Sequence, residues 1–153
     1  MATLKKAITV QVAQLLQNSP PNTKVTLPDS NNMAQFDVTI TGPEGTAYEG
    51  GIFLVKVTLD AEKFPNKGPD AIFITKIYHP NIERKTGIVC PEAITNGPWR
   101  PAMKLAKFVD GIVTLLKQPR TDHALEPEIA AEYTTNREQF EQTAKQWTQE
   151  HAH

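Results

Sequence analysis

The chain has one cysteine in 153 residues, Cys90, and one thiol cannot close an internal disulfide. A reducing compartment is therefore expected, cytoplasmic or nuclear. It also lacks an excess of either charge. Sixteen Lys and Arg against 17 Asp and Glu leave a net charge of −1, too little for a strong hold on nucleic acid or a membrane surface. No apolar run reaches the ~18–20 residues needed to span a bilayer. The opening "MATLKKAITVQVAQLLQ" sets Lys5 and Lys6 ahead of apolar residues, as a signal peptide does. Thr9, Gln11 and Gln14 interrupt it and no small-residue cleavage site follows, so it reads as part of the fold. CxxC and HExxH are missing, and His151-Ala152-His153 reads as a frayed end, so no metal is expected. No GxxxxGK loop exists to cradle phosphates. Repeats and low-complexity tracts are absent, and the length suits one domain, 1–153.

What is present is a helix, then strands, then helices. Leu4, Ile8, Val12 and Leu15 recur at helical spacing until Pro20-Pro21 stop the run. "QFDVTI" alternates Phe36, Val38 and Ile40, "TGPEGTAYEGG" is a turn, and "IFLVKVTL" and "AIFIT" complete a meander of about four antiparallel strands. From Lys76 to Ala102 the prolines at 80, 91, 98 and 101 forbid a long regular element. Ile77, Tyr78, Ile82, Ile88, Val89, Ile94 and Trp99 can anchor that stretch, so it reads as an ordered functional loop. A helix with Leu105, Phe108, Val109, Ile112, Leu115 and Leu116 on one face follows Pro101, then a small helix near Pro127–Tyr133. Asn136 with Gln139 has capping-box spacing and opens a last helix with Phe140, Ala144 and Trp147 inward. The predicted architecture is α/β of the α+β kind: an N-terminal helix, a four-stranded antiparallel meander sheet and three C-terminal helices.

Within the irregular stretch, "IYHPNIERKTGIVC" puts the lone thiol nine residues after Asn81. The plain reading of a single cysteine is a small buried hydrophobe. Here it stands mid-loop, with Pro91 behind it and the polar "ERKTG" before it, which favours a partly exposed thiol. Acyl transfer through a thiol generates an oxyanion, and a preplaced donor there is worth ~10²–10³ in rate. The Asn81 amide could supply that donor, or simply bond its own turn. A cysteine-protease arrangement would need His79 or His123 as base, yet the sequence around Cys90 matches no such signature, and His79 beside Pro80 reads more simply as a loop brace.

"YHPNI", a cysteine, "WRPA" and "PEIAAEY…NREQFEQTAKQWT", together with "YEGGIF" and "FP", resemble the ubiquitin-conjugating enzymes over nearly the whole chain. The resemblance implies that family's fold and its mechanism. Cys90 would take ubiquitin, or a ubiquitin-like protein, as a thioester from an activating enzyme and pass it to a lysine or to a ligase cysteine. Asn81 would steady the loop and the oxyanion. ATP and magnesium would belong to the activating enzyme, so this chain would need no cofactor, and a monomer is expected. Ligase and activating enzyme would share a surface matched here by Lys5, Lys6, Pro65, Asn66, Trp99, Pro101 and Ala102. Trp99 could equally be core, and the two lysines a solvated helix start.

Three departures from the family pattern carry information. The interval from Asn81 to Cys90 is one residue longer than the commonest one, which a surface turn absorbs cheaply. Asn66 stands where many members carry a large apolar ligase anchor, a loss of ~2 kcal/mol or more at such an interface. His123 stands where many lysine-transferring members carry an acid. A free lysine at pH 7 lies about 3.4 units below its pKa, or ~4.6 kcal/mol from its neutral form, whereas a cysteine needs only ~2 kcal/mol. Histidine at this position resembles the branch serving cysteine-type (HECT and RBR) ligases, so thiol-to-thiol transfer is expected, with Asp122 or Glu92 as the remaining candidate carboxylates. The rivals are another modifier (NEDD8 or SUMO), an inactive ubiquitin-binding variant, and a free-standing thiol hydrolase.

Overall fold

The computed structural model describes residues 6–153. Helix α1 (Lys6–Gln17) turns Ile8, Val12 and Leu15 inward, the stripe its periodicity predicts. Leu4 and Lys5 lie outside the described residues. Four strands follow: β1 (Thr23–Thr26), β2 (Gln35–Thr41), β3 (Ile52–Thr58) and β4 (Asp70–Phe73). They pair in sequence order, each antiparallel to the next. The register places Val38 opposite both Val25 and Val55, and Val55 opposite Phe73. One face thus collects Phe36, Val38, Ile40, Phe53, Val55 and Val57, all buried. Lys56, Thr58 and Ile72 look out from the other face. Period-two alternation leaves no other register for burying these side chains together.

Helix α3 (Leu105–Lys117) contributes seven buried apolar residues to the same core, from Leu105 to Leu116. Each is worth roughly 1.5–3 kcal/mol of burial if large, and Leu116→Ala would cost ~2–5 kcal/mol. Its start has an unusual cap. Lys104 provides no side-chain acceptor, and the Leu105 N–H donates to Gln11 Oε1 of α1 at 2.8 Å. One of the helix's orphan donors is thus satisfied from another helix. The chain continues through a 3₁₀ turn (Thr121–His123) to α4 (Pro127–Thr135) and α5 (Arg137–His151). As its spacing predicts, Asn136 accepts from the Gln139 N–H at 3.3 Å. Gln139's own side chain donates forward to Thr143 Oγ1, so only half of a capping box forms.

The helix–sheet–helix order matches expectation, with one addition. A five-residue helix, α2 (Pro91–Thr95), interrupts the stretch read as irregular. Pro91 occupies its first turn, where the missing N–H is harmless, so a residue that bars a long element opens a short one. No helix among the described residues is long and apolar enough to cross a membrane.

Candidate acyl-transfer site

Residues 77–90 double back against β4. Phe73 N–H donates to Gly87 O at 2.8 Å and Val89 N–H to Ala71 O at 3.2 Å. The turn requires Gly87: its φ is +80°, and an added Cβ would collide with the Phe73 carbonyl oxygen. Lys85 and Thr86, in the turn between Asn81 and Cys90, are exposed. Cys90 ends the segment as the N-cap of α2, half-buried and with a free thiol. Its N–H donates to Asn81 O at 3.1 Å, so the turn fixes the thiol's backbone against Asn81.

Asn81 is fully buried. Its Nδ2 donates to Arg120 O at 2.6 Å and His123 O at 3.0 Å, and its Oδ1 accepts from Arg120 N–H at 2.8 Å. A primary amide has two N–H donors, and both are engaged. The amide thus ties the loop at residues 120–123 to the thiol segment, and an amide hydrogen is freed for an oxyanion only if residues 120–123 move. One residue therefore holds the thiol segment through its main chain and the opposite loop through its side chain.

His79 is also fully buried. Its Nδ1 accepts from the Asn81 N–H at 3.0 Å, and its Nε2 lies 2.8 Å from Leu115 O. An N–H can only donate and a carbonyl can only accept, so the ring is neutral with its proton on Nε2. Burial pushes its pKa down to about 4. With both nitrogens bonded, His79 is the brace that its place beside Pro80 predicts, and it is unavailable as a base for Cys90.

The loop between α3 and α4 is clamped twice more. Pro80 O accepts from the N–H groups of Leu125 and Glu126 at 2.9 and 3.0 Å. Glu126 accepts from the Arg84 N–H at 2.8 Å and meets Arg84 Nη2 at 3.1 Å. On this loop the Asp122 side chain is 65% exposed, within 3.6 Å of His123 Nε2 and 3.8 Å of Arg120 Nη2. The histidine thus has a carboxylate beside it, one that two neighbouring groups already solicit. Glu92 is exposed in the first turn of α2. Sequence reasoning missed Arg120 and Arg84; their partners lie about 40 residues away, and no local pattern marks them.

Of the residues expected on the partner surface, Trp99 and Pro65 meet. The Trp99 Nε1–H donates to Pro65 O at 2.7 Å, and its half-buried ring packs near Phe64 and Phe108. The indole belongs both to the core's edge and to the surface. Asn66, Pro101, Ala102 and Lys6 are exposed, and Pro65 is half-buried. Among the described residues, no group of three or more His, Cys, Asp or Glu is arranged to hold a metal ion.

Comparison with known proteins gives one consistent answer. A family model described as "Ubiquitin-conjugating enzyme" matches residues 7–148. Over 147 residues the chain is 35% identical to "Ubiquitin conjugating enzyme E2 B" of Dictyostelium discoideum, covering 96% of this chain and 97% of that protein. It is 34% identical over 152 residues to "Ubiquitin-conjugating enzyme E2 N" of Drosophila melanogaster, covering 99% and 98%.

Proposed function

The chain belongs to the ubiquitin-conjugating enzyme family, and from that premise we propose that it carries ubiquitin itself on Cys90 and hands it by preference to a ligase cysteine. As a member it is a ubiquitin-conjugating transferase, working with ubiquitin, an activating enzyme and a ligase. In the proposed reaction the Cys90 sulfur attacks the thioester carbonyl presented by the activating enzyme. The tetrahedral intermediate collapses with that enzyme's thiolate leaving, and the Cys90 proton passes to the leaving sulfur or to water. In the second transfer an acceptor thiolate attacks the same carbonyl and Cys90 leaves as thiolate. Both steps exchange one thioester for another, so no oxidant and no bound cofactor is called for; ATP and magnesium act on the activating enzyme. The protein works as a monomer in the cytoplasm or nucleus.

The observation that carries this reading is the double attachment of Asn81, to Cys90 N–H through its main chain and to residues 120 and 123 through its side chain. It sets the thiol and the acceptor loop in a fixed relation before any substrate arrives, the condition for transfer by positioning. Ubiquitin is preferred over SUMO because the chain is near-neutral at −1. Preference for a thiol acceptor follows from His123 and from the competition for Asp122, which Arg120 and His123 already flank. A carboxylate so placed is a poor guide for an incoming ammonium. Asp122 is nonetheless exposed, and that observation supports a second reading, direct transfer to lysine.

Incubation with ubiquitin, activating enzyme and ATP should give an adduct that reducing agent destroys. Cys90→Ser should give a reductant-stable ester and Cys90→Ala none. No adduct would favour a binding module or another modifier; cleavage of ubiquitin chains would favour a hydrolase. Free cysteine should discharge the loaded protein faster than free lysine, and equal or faster discharge by lysine rejects the thiol preference.

A further inference from the structure

The loop from Arg120 to Glu126 is tied to the thiol segment at both ends, and the ties differ in kind. Asn81 holds residues 120 and 123, and Pro80 O holds the main chain at 125 and 126. The remaining tie is an ion pair from the turn before Cys90. Arg84 meets the Glu126 carboxylate twice: its main-chain N–H donates to Oε2 at 2.8 Å, and Nη2 lies 3.1 Å from Oε1. Glu128, mostly exposed, adds only a long contact to Nη2 at 3.9 Å. The Glu126 side chain is 14% exposed, so this carboxylate lies largely out of water. It is also the N-cap residue of α4, yet its side chain makes no cap bond there. A carboxylate at a helix start is drawn to that helix's own unsatisfied N–H groups. Here it faces a residue 42 positions earlier instead.

An exposed ion pair contributes little to stability, but a carboxylate this far out of water is costly to leave without its partner. Without the guanidinium, Glu126 has two ways to recover: outward to water, or onto the start of α4. Either one turns the end of the loop that carries Asp122 and His123. We propose that Arg84 is a positioning residue for the second transfer, fixing the acceptor loop through the Glu126 carboxylate. The inference rests on the thioester role of Cys90. The turn that carries Arg84 is itself firm. Gly87 N–H donates to Glu83 O at 2.8 Å, and Val89 N–H donates to Ala71 O on β4. The pair thus refers the loop to the same strand edge that holds the thiol. Receiving a polypeptide from the activating enzyme calls on the thiol, whereas handing it on also requires the acceptor to be set beside it. Arg84 therefore acts on discharge and spares loading.

The test times the two transfers separately. Arg84→Met, Arg84→Lys, Glu126→Gln and the combined Arg84→Met/Glu126→Gln variant are loaded with ubiquitin by activating enzyme and ATP. Single-turnover discharge onto free cysteine is then followed. Arg84→Met and Glu126→Gln should each slow discharge about fivefold, well inside the ~10²-fold that an ångström of misplacement can cost. Loading should stay within about twofold of the parent, the usual span for a surface substitution. Because the two partners act as one unit, the combined variant should also be about fivefold slow, against the ~25-fold expected of independent effects. Lysine keeps the charge and the main-chain N–H, so Arg84→Lys should discharge faster than Arg84→Met. Effects that multiply, or an Arg84→Lys as slow as Arg84→Met, overturn the proposal. Loading that falls in step with discharge also overturns it, because Arg84 would then serve the fold as a whole. If the unsubstituted protein forms no adduct at all, the thioester role itself fails and this inference falls with it. A loaded protein whose discharge ignores Arg84→Met sinks the inference alone.

Discussion

Replacing Asn81 by alanine separates bracing from oxyanion stabilisation. The substitution deletes three hydrogen bonds, with Arg120 O, His123 O and Arg120 N–H as the partners, all made by a fully buried side chain. At about 1 kcal/mol each, the loss is ~3 kcal/mol, and more where a stranded partner stays dry. For a domain near 150 residues, ~1 kcal/mol moves the midpoint by roughly 2–4 °C, so Tm should fall by about 6–12 °C. The bonds from Pro80 O to Leu125 and Glu126 and the Arg84–Glu126 pair survive, so the loop should loosen rather than detach. A loosened acceptor loop misplaces the reacting groups, and an ångström of misplacement can slow discharge ~10²-fold. Thermal unfolding followed by circular dichroism and single-turnover discharge of preloaded protein measure the two effects side by side. Bracing requires that both fall together. A variant that melts within about 2 °C of the parent while losing discharge would show that the amide acts on the reacting carbonyl, and the bracing argument would be wrong.

Two further expectations concern the support of the site. The buried, neutral His79 has its pKa lowered to about 4 against the ordinary 6.5, so the unfolded chain binds its proton first. The resulting stability, roughly 3 kcal/mol, is complete above pH 6.5 and drains away as pH falls toward 4; urea unfolding across that range should show the slope, and His79→Gln should flatten it. Gly87→Ala forces a Cβ against the Phe73 carbonyl at a positive φ, so it should lower stability by ~2 kcal/mol or more by urea unfolding, and unaltered stability would mean the turn is not as tight as described.

Local signals in the sequence located the elements well. Ile8, Val12 and Leu15, the Phe36–Val38–Ile40 alternation and the Asn136–Gln139 spacing each involve residues within one helix turn or one strand, where periodicity decides burial. Helix α2 escaped because five residues are too few to show a period, and because Pro91, which bars a long element, can still open a short one. At the site, the motif around Asn81 and Cys90 marked the right segments but not their contacts. The Asn81 amide reaches residues 39 and 42 positions later in the chain, and no spacing rule encodes a partner that only tertiary folding delivers. The same holds for Trp99, whose bond to Pro65 spans 34 positions. Whether an amide is free to donate elsewhere depends on those distant acceptors.

The amide of Gln11 that closes the start of α3 makes two helices into one lever. Lys6 and Gln11 ride on a rod whose far-side stripe, Ile8, Val12 and Leu15, is locked in the interior, while Gln11 Oε1 grips the first peptide of the rod that ends near the acceptor loop. A visitor that grasps the outer surface of α1 therefore has its hand, through a single oxygen, on the root of the element whose other end supplies the Leu115 carbonyl to His79.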